Sequence, residues 1–197
     1  MRIISEKSER RIKMGNGESS YHRFLDGDES AFSEVIDLYR ESLIFFINRY
    51  VHNLSVAEEL AEDCFVALIV YPKRYNFKTS LKTYLFTIAR NKAIDHVRKS
   101  KRTSLVTDEV LDVISEEYES FEREIFKNEE KRMLHSAMGE LCADYYTVLH
   151  LVYFEEMSNA EAAKVMNKSL KQIENLVYRA KLRLREILSQ KGVNYEG

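Results

Sequence analysis

The chain has 197 residues, 45% hydrophobic and 31% charged, which supplies one ordinary core or two small ones and excludes a disordered chain. One proline and six glycines are too few turn formers for a sandwich or barrel of many short strands, while Leu, Ala, Glu, Lys and Arg recur throughout, so the composition implies an all-α fold. A formal net charge of -2 excludes a uniformly basic nucleic-acid binder, so any such function requires the charge to be segregated along the chain.

Residues 1–20 are polar, carry both signs of charge and include Gly15, Asn16 and Gly17, the pattern of a loose tail. From Asp28 the pattern turns helical: Ala31, Phe32, Val35, Ile36, Leu38 and Tyr39 continue to Leu43, Phe46, Ile47 and Tyr50 at spacings of three and four. His52 and Asn53 interrupt it. Ser55 with Glu58 then reads as a capping box opening a second helix, whose apolar positions are Leu60, Cys64, Phe65, Leu68 and Ile69 and which Pro72 ends. A short basic and aromatic loop follows. Ser80 is the expected N-cap of a third helix, in which Leu81, Tyr84, Leu85, Ile88, Ala89, Ala93, Ile94 and Val97 form an apolar stripe.

Charge changes sign along this order. Between Tyr71 and Arg102 stand Lys73, Arg74, Lys78, Lys82, Arg90, Lys92, Arg98, Lys99, Lys101 and Arg102, with Asp95 as the lone acid. The stretch 103–128 is acidic and weakly patterned, as expected of a linker. Helical periodicity resumes near Glu129, and the basic Lys164, Lys168, Lys171, Arg179, Lys181, Arg183 and Arg185 lie in the last part. There Ser158 with Glu161 and Ser169 with Gln172 form two capping boxes, before a short helix over Asn159 to Met166 and a longer one from Leu170 to about Leu188. Two capped helices joined by a short turn, the second longer and basic, match a helix-turn-helix whose second helix enters the major groove. The expected organisation is therefore two small helical domains, 21–102 and 129–190, joined by the acidic linker 103–128 and flanked by tails at 1–20 and 191–197.

Chemistry-bearing patterns are few. Cys64 and Cys142 lie far apart in amphipathic patterns and read as buried thiols in a reducing cytoplasm. The histidines at 22, 52, 96, 135 and 150 form no metal-binding pair, and no glycine-rich phosphate loop is present, so neither a metal, a cofactor nor a catalytic site is expected. No apolar run is long enough to span a bilayer. By contrast, Tyr75, Phe77, Tyr84 and Phe86 alternate with Lys73, Arg74, Lys78 and Lys82, the mixture of aromatic faces and cations that single-stranded DNA binding uses.

The segments Gly27-Asp-Glu-Ser-Ala-Phe32, Val56-Ala-Glu-Glu-Leu-Ala-Glu-Asp-Cys-Phe65 and Ser80 to Arg98, followed by Ala160 to Met166 and Ser169 to Lys181, resemble in order the extracytoplasmic-function sigma factors, the group IV branch of the main bacterial sigma family. The resemblance covers about Tyr21 to Leu188. It implies a transcription initiation factor that is not an enzyme and that works in the cytoplasm with core RNA polymerase. The expected polymerase contacts are the beta-prime clamp helices and the beta flap, and an anti-sigma factor is a further expected partner. On this resemblance, Glu58, Glu59, Leu60, Glu62, Asp63 and Phe65 bind the polymerase. Lys73, Arg74, Tyr75, Lys78, Lys82, Tyr84, Arg90, Asn91, Arg98, Lys99, Lys101 and Arg102 recognise and melt the promoter -10 element, with Asn91 near a flipped base. Ser169, Lys171, Gln172, Glu174, Asn175, Tyr178, Arg179 and Lys181 recognise the -35 duplex.

Tyr84 stands where the family usually has tryptophan, and Glu174 and Leu176 occupy positions often held by cations. Residues alone also fit two other readings: a free-standing helix-turn-helix regulator of duplex operator DNA, or a helical scaffold for a membrane-bound signalling partner.

Overall fold

In the computed structural model, residues 17–103 and 129–191 are described. The linker expected over 104–128 and the outer parts of both tails lie outside the described residues. Among the described residues all regular structure is helical.

The first helix, α1 (Gly17–Leu25), starts inside the stretch read as tail. Its inner face explains the difference. Tyr21 is fully buried and donates its hydroxyl to the Leu68 carbonyl at 2.9 Å, and Ser20 donates to Glu34 at 2.7 Å. A Cβ at Gly17 would stand 2.6 Å from the Tyr39 ring, so a larger residue there must displace that ring.

Helix α2 (Ala31–Val51) is the spine of the molecule. Five consecutive residues, Leu43 to Ile47, are buried, which a helix achieves only when it is covered on all sides. It ends at His52, whose left-handed backbone (φ 51°) turns the chain into α3 (Leu54–Val70). The cap of α3 is Asn53, whose side chain accepts from the Val56 amide at 3.0 Å, and not Ser55 as expected. Asn53 has the extended backbone that lets a side chain reach back to a free amide, whereas Ser55 already lies inside the helix. Helix α3 stops ahead of Pro72, which opens a 3-10 turn over Pro72–Arg74. Ile69, expected with the inward stripe, is 48% exposed.

Helix α4 (Leu81–Thr103) packs on α2 and α3 through Leu81, Leu85, Phe86, Ala89 and Ala93. Phe46 and Phe86 meet edge to face at 5.1 Å. The second domain follows as α5 (Glu129–Gly139), α6 (Ala143–Leu149) widening into a π-helical turn over His150–Phe154, α7 (Asn159–Met166) and α8 (Leu170–Gln190). Both capping boxes form as expected, around Ser158 and Glu161 and around Ser169 and Gln172. Cys64 is buried, but Cys142 is exposed at the N-cap of α6, a correction to the expectation that both are internal.

The two domains share one continuous core. Helix α4 lies against α7, and α2 against α6. The His150 ring sits 5.6 Å from Phe45 and 5.7 Å from Phe46 of α2, and is stacked with Tyr146 and Phe154 of its own domain. Polar links border this contact. Arg49 donates to the Gly139 and Leu141 carbonyls, both at 2.9 Å, and the Tyr50 and Thr147 hydroxyls lie 2.7 Å apart.

Candidate nucleic-acid interface

The helical pitch of α4 divides the cations of the first domain between two faces. Tyr84, Asn91 and Arg98 are seven residues apart and line one side, two turns between each pair, with Arg102 continuing the row. Asn91, Arg98, Lys99, Lys101 and Arg102 are exposed and Tyr84 is half-buried. Burial pushes the Tyr84 phenol above its ordinary range against the pull of nearby Arg74, which extends the cationic row beyond the helix. Arg74 itself lies 4.1 Å over the Tyr71 ring. Lys73 and Lys78 are exposed in the preceding loop. This face offers an amide, aromatic edges and cations in line.

Lys82 faces the second domain, and Arg90 turns toward α2. Lys82 makes a 2.7 Å ion pair with Glu155, with only 15% and 5% of the two side chains exposed, and it also donates to the Glu155 carbonyl. Arg90 lies against Tyr50, whose phenol is pushed up by burial and pulled down by the Thr147 hydroxyl and by Arg90. At the same end of α4, Ser80 and Thr83 donate to Glu161 at 3.0 and 3.3 Å.

Tyr75 belongs to the core. It is 3% exposed, packs among Tyr21, Phe77 and Tyr84, and donates its hydroxyl to the Thr79 carbonyl and to Glu18. The same Glu18 carboxylate accepts from the Leu81 amide at 3.0 Å, so α1 caps α4. The open aromatic of this loop is Phe77, at φ 58° and 41% exposed, stacked on His22 at 4.2 Å.

The outer face of α3 begins acidic and ends apolar. Glu59, Glu62 and Asp63 are exposed, and the same side continues with Val66, Ile69 and Val70. Glu58 is half-buried with Arg40 at 3.5 Å, and Asp63 pairs with Lys92 at 2.7 Å. Phe65, assigned above to polymerase contact, is buried at the edge of Phe32, and Leu60 is half-buried against the core. Alternation of acidic and apolar residues at helical spacing was legible for the acidic half only. From Cys64 to Val70 every residue is apolar, so spacing places Cys64, Phe65 and Leu68 inward but residue type does not mark Val66, Ile69 and Val70 as outward.

On α8, Ser169, Lys171, Gln172, Glu174, Asn175, Tyr178, Arg179 and Lys181 are all exposed. Gln172 is partly committed, since its carbonyl oxygen accepts from the Ser169 amide at 2.8 Å. Lys181 lies 5.6 Å over Tyr153. Leu176, the position where a cation was expected, turns inward and packs against the core. Its apolar character is thus set by packing. Glu174 is the acid that remains on the open face.

Two family models match this chain in the order of its two domains: Sigma-70 region 2 over residues 35–103 and Sigma-70, region 4 over residues 131–184. Together they span more than half of its length. The chain is an extracytoplasmic-function sigma factor. It is 28% identical over 163 residues to the ECF RNA polymerase sigma factor SigM of Bacillus subtilis (strain 168), covering 83% of this chain and 98% of that one. Identity to the ECF RNA polymerase sigma factor SigW of the same organism is 25% over 170 residues, with 82% and 91% covered. The fold is shared with the sigma factor RpoE solved in complex with the anti-sigma factor NepR from Bartonella quintana, at a TM-score of 0.63, 23% identity and coverage of 80% and 96%. It is shared also with CnrH in complex with the cytosolic domain of CnrY, at a TM-score of 0.62, 20% identity and coverage of 87% and 96%. As a sigma factor the chain is a transcription initiation factor, which sets aside the free-standing regulator and the scaffold. No described helix is long and apolar enough to cross a membrane, and no group of three or more metal-type side chains occurs among the described residues.

Proposed function

We propose that this sigma factor works by binding energy alone, with no catalytic site of its own, and that it divides its contacts among three helices. The outer face of α3, acidic through Glu59, Glu62 and Asp63 and apolar through Val66, Ile69 and Val70, takes the beta-prime clamp helices of core RNA polymerase in the cytoplasm. The open face of α4 takes the -10 element as a single strand: Asn91 reads a base, while Arg74, Arg98 and Arg102 follow the backbone. Unstacking costs on the order of a few kcal/mol per base, which stacking on exposed aromatics and phosphate neutralisation can offset. Helix α8 enters the major groove of the -35 element with Lys171, Asn175, Tyr178 and Arg179, and the second domain rests on the beta flap.

The observation that carries this reading is the alignment of Tyr84, Asn91, Arg98 and Arg102 on one side of α4, with an acidic and apolar face on neighbouring α3. An anti-sigma factor fits the same scheme, since both solved neighbours hold a protein partner. Size-exclusion co-elution with core RNA polymerase tests the first step. Wild-type chain is expected to join the polymerase, and the Glu62→Lys, Asp63→Lys double variant to be lost from the complex; a wild-type chain that never joins would overturn the reading.

A further inference from the structure

The second domain presents two carboxylates to the beginning of α4. Glu155, from the end of the π-helical turn, pairs with Lys82. Glu161, from the first turn of α7, accepts from the hydroxyls of Ser80 and Thr83 through one oxygen, while its other oxygen accepts from the Ser158 amide and hydroxyl at 2.9 and 2.8 Å. One carboxylate therefore serves the N-terminal turns of two helices from different domains. Together Glu155 and Glu161 cover a cation and two hydroxyl donors, the groups that would otherwise meet phosphate oxygens of a nucleic-acid backbone.

We propose that this contact is an internal latch: Glu155 and Glu161 hold the two domains closed by occupying a backbone-phosphate subsite of α4 formed by Ser80, Lys82 and Thr83, and DNA must displace them to complete its contact with α4. The inference rests on the assignment of α4 to -10 DNA and adds to it a site and the intramolecular group that competes for it. Closure withholds Lys82 without covering Asn91, Arg98 or Arg102, so the free chain keeps a partial DNA face and lacks the rest. Tyr50 with Thr147, and Arg49 with the Gly139 and Leu141 carbonyls, add to the closed state away from this subsite.

The test uses the full chain, a short fluorescein-labelled single strand of random sequence, and small-angle scattering on the same samples. Because the subsite grips backbone, random sequence suffices. The Glu155→Gln, Glu161→Gln double variant is expected to gain radius of gyration and to bind the strand roughly tenfold more tightly, as removal of a closed population predicts. Adding Lys82→Gln to it should erase that gain while leaving the chain open. Ser158→Ala, which weakens the α7 cap but keeps both carboxylates, should stay within about twofold of wild type.

Tyr50→Phe with Thr147→Val loosens the closed state without altering Glu155, Glu161 or α4's first turn, and should move both readouts in the direction of the double variant. An opened chain that binds no more tightly overturns the latch, as does a double variant that stays closed, or a Ser158→Ala gain equal to that of the double variant. Wild-type co-elution with core polymerase, run in parallel, separates the two ideas. Assembly with polymerase but no gain in strand binding removes the latch alone, whereas a gain without assembly removes the assignment to promoter DNA.

Discussion

At Asn91 the α4 backbone turns a short amide outward between Tyr84 and Arg98, where neither core nor second domain claims it. An amide can present a donor and an acceptor together to one base edge, while the flanking arginine holds the backbone. Asn91→Ala is expected to lose about 1 to 3 kcal/mol of discrimination at a single -10 position, with other positions unchanged, when the reconstituted holoenzyme is scored against a library of -10 variants. A uniform loss across the library would make Asn91 a backbone contact. The two cysteines give a second test at this scale. Burial pushes the Cys64 thiol up to about 12, partly opposed by Lys92. The folded state therefore holds that proton more tightly than the unfolded chain, and the associated stability is complete below about pH 8.5, the range of a free thiol, and lost as pH rises through about 12. Near neutral pH the native chain should react with a thiol-specific disulfide reagent at Cys142 only, with Cys64 reacting after unfolding; two fast thiols would place Cys64 at the surface.

Helices were legible in proportion to how sharply their ends are written. The two capping boxes of α7 and α8 fixed both starts, because each box satisfies free amides with residues three apart and leaves little choice of register. The start of α3 was displaced by two residues, since Ser55 with Glu58 mimics a capping box just inside the helix, whereas the chain leaves the left-handed turn at His52 directly into the Asn53 cap. Tyr75, an apparent member of the basic and aromatic loop, went to the core because its ring fills the space beside Tyr21 and its hydroxyl has two acceptors there. Local sequence has no record of such distant partners. At the element scale the most direct prediction concerns α8: Ser169→Ala removes the side-chain acceptor for the Gln172 amide, costs about 1 kcal/mol, and frays the turn that carries Lys171 and Gln172. Thermal melting should show the loss of stability, and affinity for a -35 duplex should fall while affinity for a -10 strand holds.

Across the whole molecule, the fold class and the order of parts followed from composition and periodicity, but the contact between domains did not. Its polar members lie 73 to 97 residues apart and are ordinary side chains taken singly. The one trace in the sequence is the unbroken apolar run Leu43 to Ile47, too wide for a helix with a single buried face. Protons should act on this closure through Glu161. Burial raises its carboxyl, but hydrogen bonds from the Ser158 amide and hydroxyl and from Ser80 and Thr83 outweigh that, and it stays below the ordinary glutamate range. A depressed folded value means that the stabilisation is present above the unfolded glutamate's range and is lost as pH falls through the lowered value. The bridge between Glu161 and α4 should persist at mildly acid pH and give way only below the range of a free glutamate. Scattering along an acid titration would detect it as a rise in radius of gyration, shifted in Ser80→Ala.

The same geometry sets a schedule. Ser80 precedes Glu161 by 81 residues, so a ribosome delivers the start of α4 well before the carboxylate that faces it. At roughly 5 to 20 residues per second, that interval is on the order of 4 to 16 s. During it the newborn first domain stands with Ser80, Lys82 and Thr83 uncovered and with the outer face of α3 already formed. A cell that makes this protein beside idle polymerase thus offers the outer face of α3 a partner while the domain that covers Ser80, Lys82 and Thr83 is still unmade.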